Sequence, residues 1–367
     1  MYARWLTRQR AFVPRAATRS GRGLVMLPRR ALDQVVTTLE TRWSDTAPRQ
    51  FGRLGTSRLA YAADRVEQRV RRLALTALGR PLDAGGAPSV TLNVGHDGLD
   101  EPERFARLPG RFVAMINDLI PITHPEYETE RATRLHQRRI ATLVEHADHV
   151  FTISETTRAE LLDYVSGAPF TTSVLHLGPA LTPPTQPTRF AHPTFVHLSS
   201  IDRRKNLAFL LHVWRELAEH DGAPHLLVIG RRGSDQTALD LIDRSPKLHG
   251  LVRATGGLGD DMVAGYLAGA RALVTPSFVE GYGLPIVEAH AMGVPVIASD
   301  IPAHREIGGI STIFVGPTDG PGWRHAIMAL AENDAIRATR VAQIAPPADW
   351  ETHFTKLTMQ LEEIAAR

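Results

Sequence analysis

Residues 270–300, ARALVTPSFVEGYGLPIVEAHAMGVPVIASD, restrict the possible fold more than any other part of the chain. Two short apolar runs, 272–274 and 294–298, read as buried strands bounded by turn residues. Between them Gly281 and Gly283 mark a turn. Pro285 stands where a first helical residue can lack its N–H without penalty, and Gly293 closes the helix. Strand, glycine turn, helix and strand make a βαβ unit, so the chain is expected to be α/β.

A unit of this kind aims backbone N–H groups and the positive end of a helix dipole at whatever fills its loop, and a diphosphate suits that place. Glu280 lies just before the helix and Glu288 about one turn into it, both able to accept hydrogen bonds from a polyhydroxylated ligand. Either acid alone reads as a solvated helix-start residue favoured by the dipole. The pair, at this spacing, reads as a cleft.

Glu, seven residues, Glu, with PS before it, GYGLP inside it and GVPVIASD after it, resembles the signature of the retaining nucleotide-sugar glycosyltransferases, glycosyltransferase family 4 above all. The resemblance implies a GT-B fold: two facing Rossmann-like domains, a cleft between them, and a C-terminal helix crossing back. It places Glu280 at the transferred sugar, the turn Gly281, Tyr282, Gly283 and Leu284 at sugar and phosphate, and Glu288 at the nucleotide ribose.

The remaining sequence fits two domains. At 367 residues and 43% apolar content there is material for two α/β cores, and no apolar run reaches a membrane span. The absence of cysteine excludes a disulfide framework and thiolate metal sites. Residues 1–80 hold 17 Arg, no Lys and 5 acids, although the whole chain carries a net charge of only +3. Such a segment suits an anionic membrane surface or lipid-linked phosphate, and equally a solvated arginine-rich face. No secretory signal is visible at the N-terminus.

In chain order, short strands are expected at 11–13 and 23–27 and helices at 31–43 and 60–78, the last with Arg65, Arg69 and Arg72 on one side. Compared with the family this region is expected to be truncated, lacking a first strand and its glycine loop. Strands at 89–94 and 112–116 run into GHDG and NDLIPITHPEY, loops that resemble the acceptor side of the family's cleft. Family members commonly have HDLIP there. Asn117 replaces that His and cannot carry a proton at neutral pH, which leaves Asn117, Asp118 and His96 as the acceptor-side candidates, with His124 nearby. A helix at 131–147, a strand at 150–153 and a helix through Tyr164 follow. Ser154 is a natural N-cap, and Thr157 with Glu160 has capping-box spacing.

The proline-rich residues 181–193 read as a linker between a domain at 1–180 and one at 194–345, with a crossover helix at 346–367. The strand 194–198 leads into SSIDRRKN, whose Arg204 and Lys205 the resemblance places on the donor diphosphate; Ser199 stands where the family often has a further Arg. Strands at 226–229 and 251–254 and a helix at 262–268 follow. Gly257 and Gly259 begin a GxGxxG pattern, but Met262 replaces its third glycine and the dinucleotide fingerprint fails. Trp350, Phe354, Leu357, Leu361 and Ile364 form one helical stripe.

These readings converge on a metal-independent, retaining hexosyltransferase without a cofactor. Its expected substrates are a nucleoside diphosphate sugar and a saccharide or polyprenyl-diphosphate-linked acceptor, in bacterial surface polysaccharide synthesis. It is expected in the cytoplasm or peripheral on the inner membrane face, with no nucleic-acid partner. A nucleotide-sugar epimerase and a sugar phosphorylase share the fold. A catalytically silent nucleotide-sugar-binding subunit fits the missing strand, Asn117 and Ser199.

Overall fold

The computed structural model describes residues 1–2, 5, 16–20, 23–27, 80–81, 90–96, 98–106 and 110–367. The expected strand at 11–13 and both helices expected within 31–78 lie outside the described residues, as does the Arg65, Arg69 and Arg72 face. Strands β1 (Ala16–Ser20), β2 (Gly23–Leu27) and β3 (Arg80–Pro81) pair as a small antiparallel sheet.

The first parallel sheet runs in chain order: β4 (Val90–Asn93), β5 (Arg111–Ile116), β6 (His149–Thr152) and β7 (Thr171–Val174). Helices α1 (Ile120–Thr123), α2 (Glu130–His146) and α3 (Glu155–Tyr164) connect them. β5 is apolar beyond its first residue because both its faces are covered. Phe112, Ala114 and Ile116 pack with Ile140 and Leu143 of α2 and Leu161 of α3, while the pleat sends Val113 and Met115 to the opposite face. β7 was not expected. Its sequence, TTSV, carries no apolar run because it closes an edge of the sheet.

The second sheet contains β8 (Thr194–Leu198), β9 (His225–Ile229), β10 (Val252–Thr255), β11 (Leu273–Thr275), β12 (Val296–Ser299) and β13 (Ile313–Val315). All its pairings are parallel and the order is β10-β9-β8-β11-β12-β13. The winding therefore reverses between β8 and β11, and a doubly wound sheet opens a crevice at such a point, outside the carboxyl ends of the strands. Its crossovers are α4 (Leu207–Leu217), α5 (Gln236–Arg244), α6 (Asp260–Gly269), α7 (Leu284–Ala291) and α8 (Pro302–Gly308). One face is filled around the fully buried Trp214 and Trp323, the other by Val196, Leu267, Ile286 and Ala289.

After α9 (Gly320–Glu332) and α10 (Asp334–Ala342), the chain returns to the first sheet through α11 (Trp350–Ala366). Leu357 and Ile364 enter the cluster formed by Val113, Met115, Phe151 and Leu175. Trp350 Nε1 donates to the Pro179 carbonyl at 2.8 Å. The returning helix is the expected one, and the same apolar stripe that identifies it in the sequence buries it.

One helix start agrees with expectation and one differs. Ser154, extended at φ −152, is the N-cap of α3, and its Oγ accepts from Thr157 N at 3.0 Å. Thr157 already lies inside the helix and so does not begin a capping box with Glu160. α7 begins at Leu284, with Pro285 second, because Gly283 at φ +106 serves as N-cap in a conformation that side chains resist.

Candidate functional site

The loops after β8 and β11 meet at the winding reversal. The β8 loop ends in a single turn, Arg203–Lys205, followed by Asn206 at φ 57. Asn tolerates this left-handed backbone, and its Nδ2 donates to the carbonyls of Pro276 at 3.0 Å and Pro317 at 2.8 Å. Phe278 N donates to the Arg204 carbonyl at 2.9 Å. The two loops are thereby pinned together, which brings Arg204 and Lys205 onto Glu280.

Glu280 is 9% exposed and Lys205 8%. Lys205 Nζ and Ser277 Oγ both donate to Oε1 of Glu280, and Arg204 Nη1 donates to Oε2 at 2.8 Å. Burial works to raise the Glu280 pKa, but the charges of Lys205 and Arg204 outweigh it and hold the carboxyl well below the usual carboxylate range. The three side chains together carry one net positive charge, with Asp118 and Asp202 also acting on Arg204. The histidines beneath stay neutral. His197 is pushed down to about 4 by burial; its Nδ1 donates to the Val274 carbonyl and its Nε2 accepts from Ser199 Oγ. His304 is also lowered by burial. Its Nδ1 donates to the Ser299 carbonyl at 3.0 Å, and its buried Nε2 has no partner among the described residues.

The glycine turn lies against the first sheet. The Gly281 carbonyl accepts from Ser154 Oγ at 2.5 Å and Thr157 Oγ1 at 3.1 Å. A Cβ on Gly281 would fall 2.4 Å from the Asn117 carbonyl oxygen. Tyr282 is buried: its hydroxyl donates to the Leu177 carbonyl at 2.9 Å and its ring stacks on His176. Leu284 is partly buried in the cluster beneath α11. Gly281→Ala is expected to displace the turn and lower activity by about 10²-fold, a loss typical of ~1 Å misplacement. Steady-state rates read beside a melting curve check it.

Asn117 and Asp118 leave β5 on the facing wall. Asn117 N donates to His96 Nε2 at 3.4 Å, so the neutral His96 ring carries its proton on Nδ1. Burial, followed by the charges of His136 and Arg139, pushes the His96 pKa down to about 4. Asp118 Oδ1 accepts from Ile120 N, the first N–H of α1, at 3.1 Å.

Glu288 stands apart from this cluster. It is 6% exposed, takes a hydrogen bond from the Ala180 N–H, and lies near Asp260. Burial first, then Asp260, pushes its pKa up to about 7, against the effect of the Ala180 donor. A cavity of about 280 Å³ lies at the carboxyl ends of β8, β9 and β10, lined by Leu198, Ser199, Gly230, Gly256, Gly257 and Leu258. The structure thus joins Arg204, Lys205 and Glu280, sets the glycine turn against Asn117 and Asp118, and keeps Glu288 separate. Sequence reasoning gave Thr157 and His304 no place at the site, and Ser277 entered only as part of the PS before Glu280. The packing of distant loops places Thr157 and His304.

Residues 192–333 match the family model described as Glycosyl transferases group 1. The chain is 27% identical over 262 residues to O-antigen chain mannosyltransferase B of Escherichia coli, a match covering 67% of this chain and 68% of that protein. It is 28% identical over 223 residues to the serotype-specific mannosyltransferase WbdA of Escherichia coli, covering 55% of this chain but only 27% of WbdA. Among solved structures, Anabaena HepE in complex with UDP-glucose superimposes with a TM-score of 0.61 at 16% identity, over 75% of this chain and 79% of HepE.

Proposed function

We propose, from the premise that this chain is a glycosyltransferase of the group 1 type with the GT-B fold, that it moves a hexose from a nucleoside diphosphate sugar to a saccharide or lipid-linked acceptor with retention. The observation that carries this reading is the Arg204, Lys205 and Glu280 cluster at the winding reversal between β8 and β11. An ammonium has three N–H groups and a guanidinium five, so both cations keep donors for phosphate oxygens while holding Glu280. Their net positive charge stabilises the leaving diphosphate as its bond to the sugar breaks, without a metal or other cofactor.

Glu280 and the N–H groups of the turn through Gly281, Tyr282, Gly283 and Leu284 position the sugar. Glu288 accepts from the ribose, and the cavity beside Gly256 and Gly257 takes the base. The acceptor hydroxyl approaches from the wall of His96, Asn117 and Asp118, attacks on the face the phosphate leaves, and gives its proton to that phosphate. The named activity of the O-antigen relatives favours mannose and a surface polysaccharide acceptor. Among the described residues no helix is long and apolar enough to cross a membrane. The reading places the enzyme in the cytoplasm, with the basic N-terminal segment resting on the inner membrane face.

Melting curves with a panel of UDP-, GDP- and dTDP-sugars test the site. The true donor at a hundred times its Kd is expected to stabilise the protein by about 2.7 kcal/mol, a shift of several degrees. NMR of the product then reads the anomeric configuration. No shift with any donor sinks the donor site, and an inverted product sinks retention.

A further inference from the structure

Glu306 lies on α8, packed on the second sheet, yet its carboxylate is engaged by the first domain. Oε1 accepts from Glu155 N at 2.7 Å and forms a 2.7 Å contact with His176 Nε2. Oε2 accepts from Thr156 N at 3.1 Å and from the Thr156 hydroxyl at 3.2 Å. Glu155 and Thr156 are the first two residues of α3, whose N–H groups have no partner within the helix. A carboxylate there satisfies them and meets the positive end of the helix dipole. Burial works to raise the Glu306 pKa, but His176 and the two N–H groups hold it below its ordinary value, so the group is ionised at neutral pH.

The same turn of α3 is held at a second point. Ser154 and Thr157 donate their hydroxyls to the Gly281 carbonyl, next to Glu280. His176 completes the contact by stacking on Tyr282. Neither domain needs Glu306 to complete its own sheet, because an exposed helix start is satisfied by water and by its Ser154 cap. Among the described residues, each hydrogen-bond partner of the carboxylate lies in the other domain.

We propose that Glu306 is a positioning residue: by capping α3 it latches the two domains closed and holds the glycine turn in register with Asn117 and Asp118 for transfer. The kinetic part rests on the transferase reading; the closure part does not. The latch must open for donor entry and product release, and water can replace each of its hydrogen bonds when it does.

Glu306→Ala and Glu306→Gln, with Arg305→Ala as control, test the proposal. Arg305 is on the same helix but exposed, and is paired with Asp300. In solution scattering without ligand, Glu306→Ala is expected to have a radius of gyration larger by about 1 Å. Its kcat should fall about tenfold or more while donor KM changes by less than about threefold, since the donor contacts are intact. Glu306→Gln, which keeps the volume and one acceptor oxygen, should fall between, and it supplies the comparison if the alanine variant does not fold. Unchanged dimensions or unchanged kcat in both variants overturns the proposal, as does an equal loss in Arg305→Ala. If the unaltered protein transfers no sugar, the transferase reading fails while the scattering comparison still decides the latch.

Discussion

Lys205→Met is expected to destabilise the protein by about 3–5 kcal/mol, because it leaves the buried Glu280 carboxylate without its closest partner. For a domain of this size that is a fall in Tm of roughly 10 °C. The exposure of both side chains, 10% and 9%, leaves little water to screen the loss. Adding Glu280→Gln to Lys205→Met removes the stranded charge, so the double variant should recover most of the stability. A double-mutant cycle by calorimetry or urea unfolding measures that coupling. Activity should not return with stability. On the proposed reading, donor kcat/KM of both the single and the double variant is expected to fall by about 10³-fold, since the leaving diphosphate would lose a preorganised cation. A cost below about 1 kcal/mol for Lys205→Met would exclude the buried pair as described.

The pair also fixes a pH dependence. Glu280 titrates well below 4.5 in the folded state, so its contribution is fully present above pH 4.5 and is lost as the pH falls below it.

Glu288→Gln is expected to make the protein more stable and less competent. The folded-state pKa of Glu288 is raised from 4.5 to about 7, so the native state holds a proton that the unfolded chain has released. Stability then falls as the pH rises from 4.5 to about 7, by about 3 kcal/mol in all. Glutamine does not titrate, so the variant should lack this slope and exceed the parent by that amount at pH 8. Donor binding should move the other way. On the proposed placement of Glu288 at the ribose, the ionised carboxylate accepts from the hydroxyls better than the protonated one, so donor KM of the parent should rise as the pH drops below about 7. In Glu288→Gln, donor affinity should be weaker by about 10–100-fold, the worth of a hydrogen bond to a charged group, and independent of pH over this range. A variant whose stability and KM follow the parent's pH profile would remove Glu288 from the ribose. Removing a strained functional group commonly stabilises a fold at the expense of activity.

Legibility of the site followed the distance over which each contact acts. The βαβ unit at 270–300 was readable because strand, turn and helix signals are local: apolar runs, two glycines, one proline. The parallel sheets followed from several such units, and α11 from its stripe of Trp350, Phe354, Leu357, Leu361 and Ile364. By contrast β7, with its polar TTSV, and α10, with no buried residue, carry little of the apolar signal that burial writes into a sequence. Ser154 shows both kinds of information in one side chain. Its N-cap role depends on Thr157, three residues on; its bond to the Gly281 carbonyl spans 127 residues and has no trace in the local pattern.

Glu280, Arg204 and Lys205 were candidates as separate loop residues, each assigned by the family resemblance to a loop that follows a strand. The sequence by itself determined those residue types, the strands that carry them and the helix that returns to the first domain. Only the tertiary structure decided that Lys205 meets Glu280 across 75 residues, that Glu288 stands apart beside Ala180, and that Glu306 caps a helix 151 residues away. Local patterns record which side chains are buried. The partner each charge finds depends on strand order, and it was the reversal between β8 and β11 that brought two distant loops to one crevice.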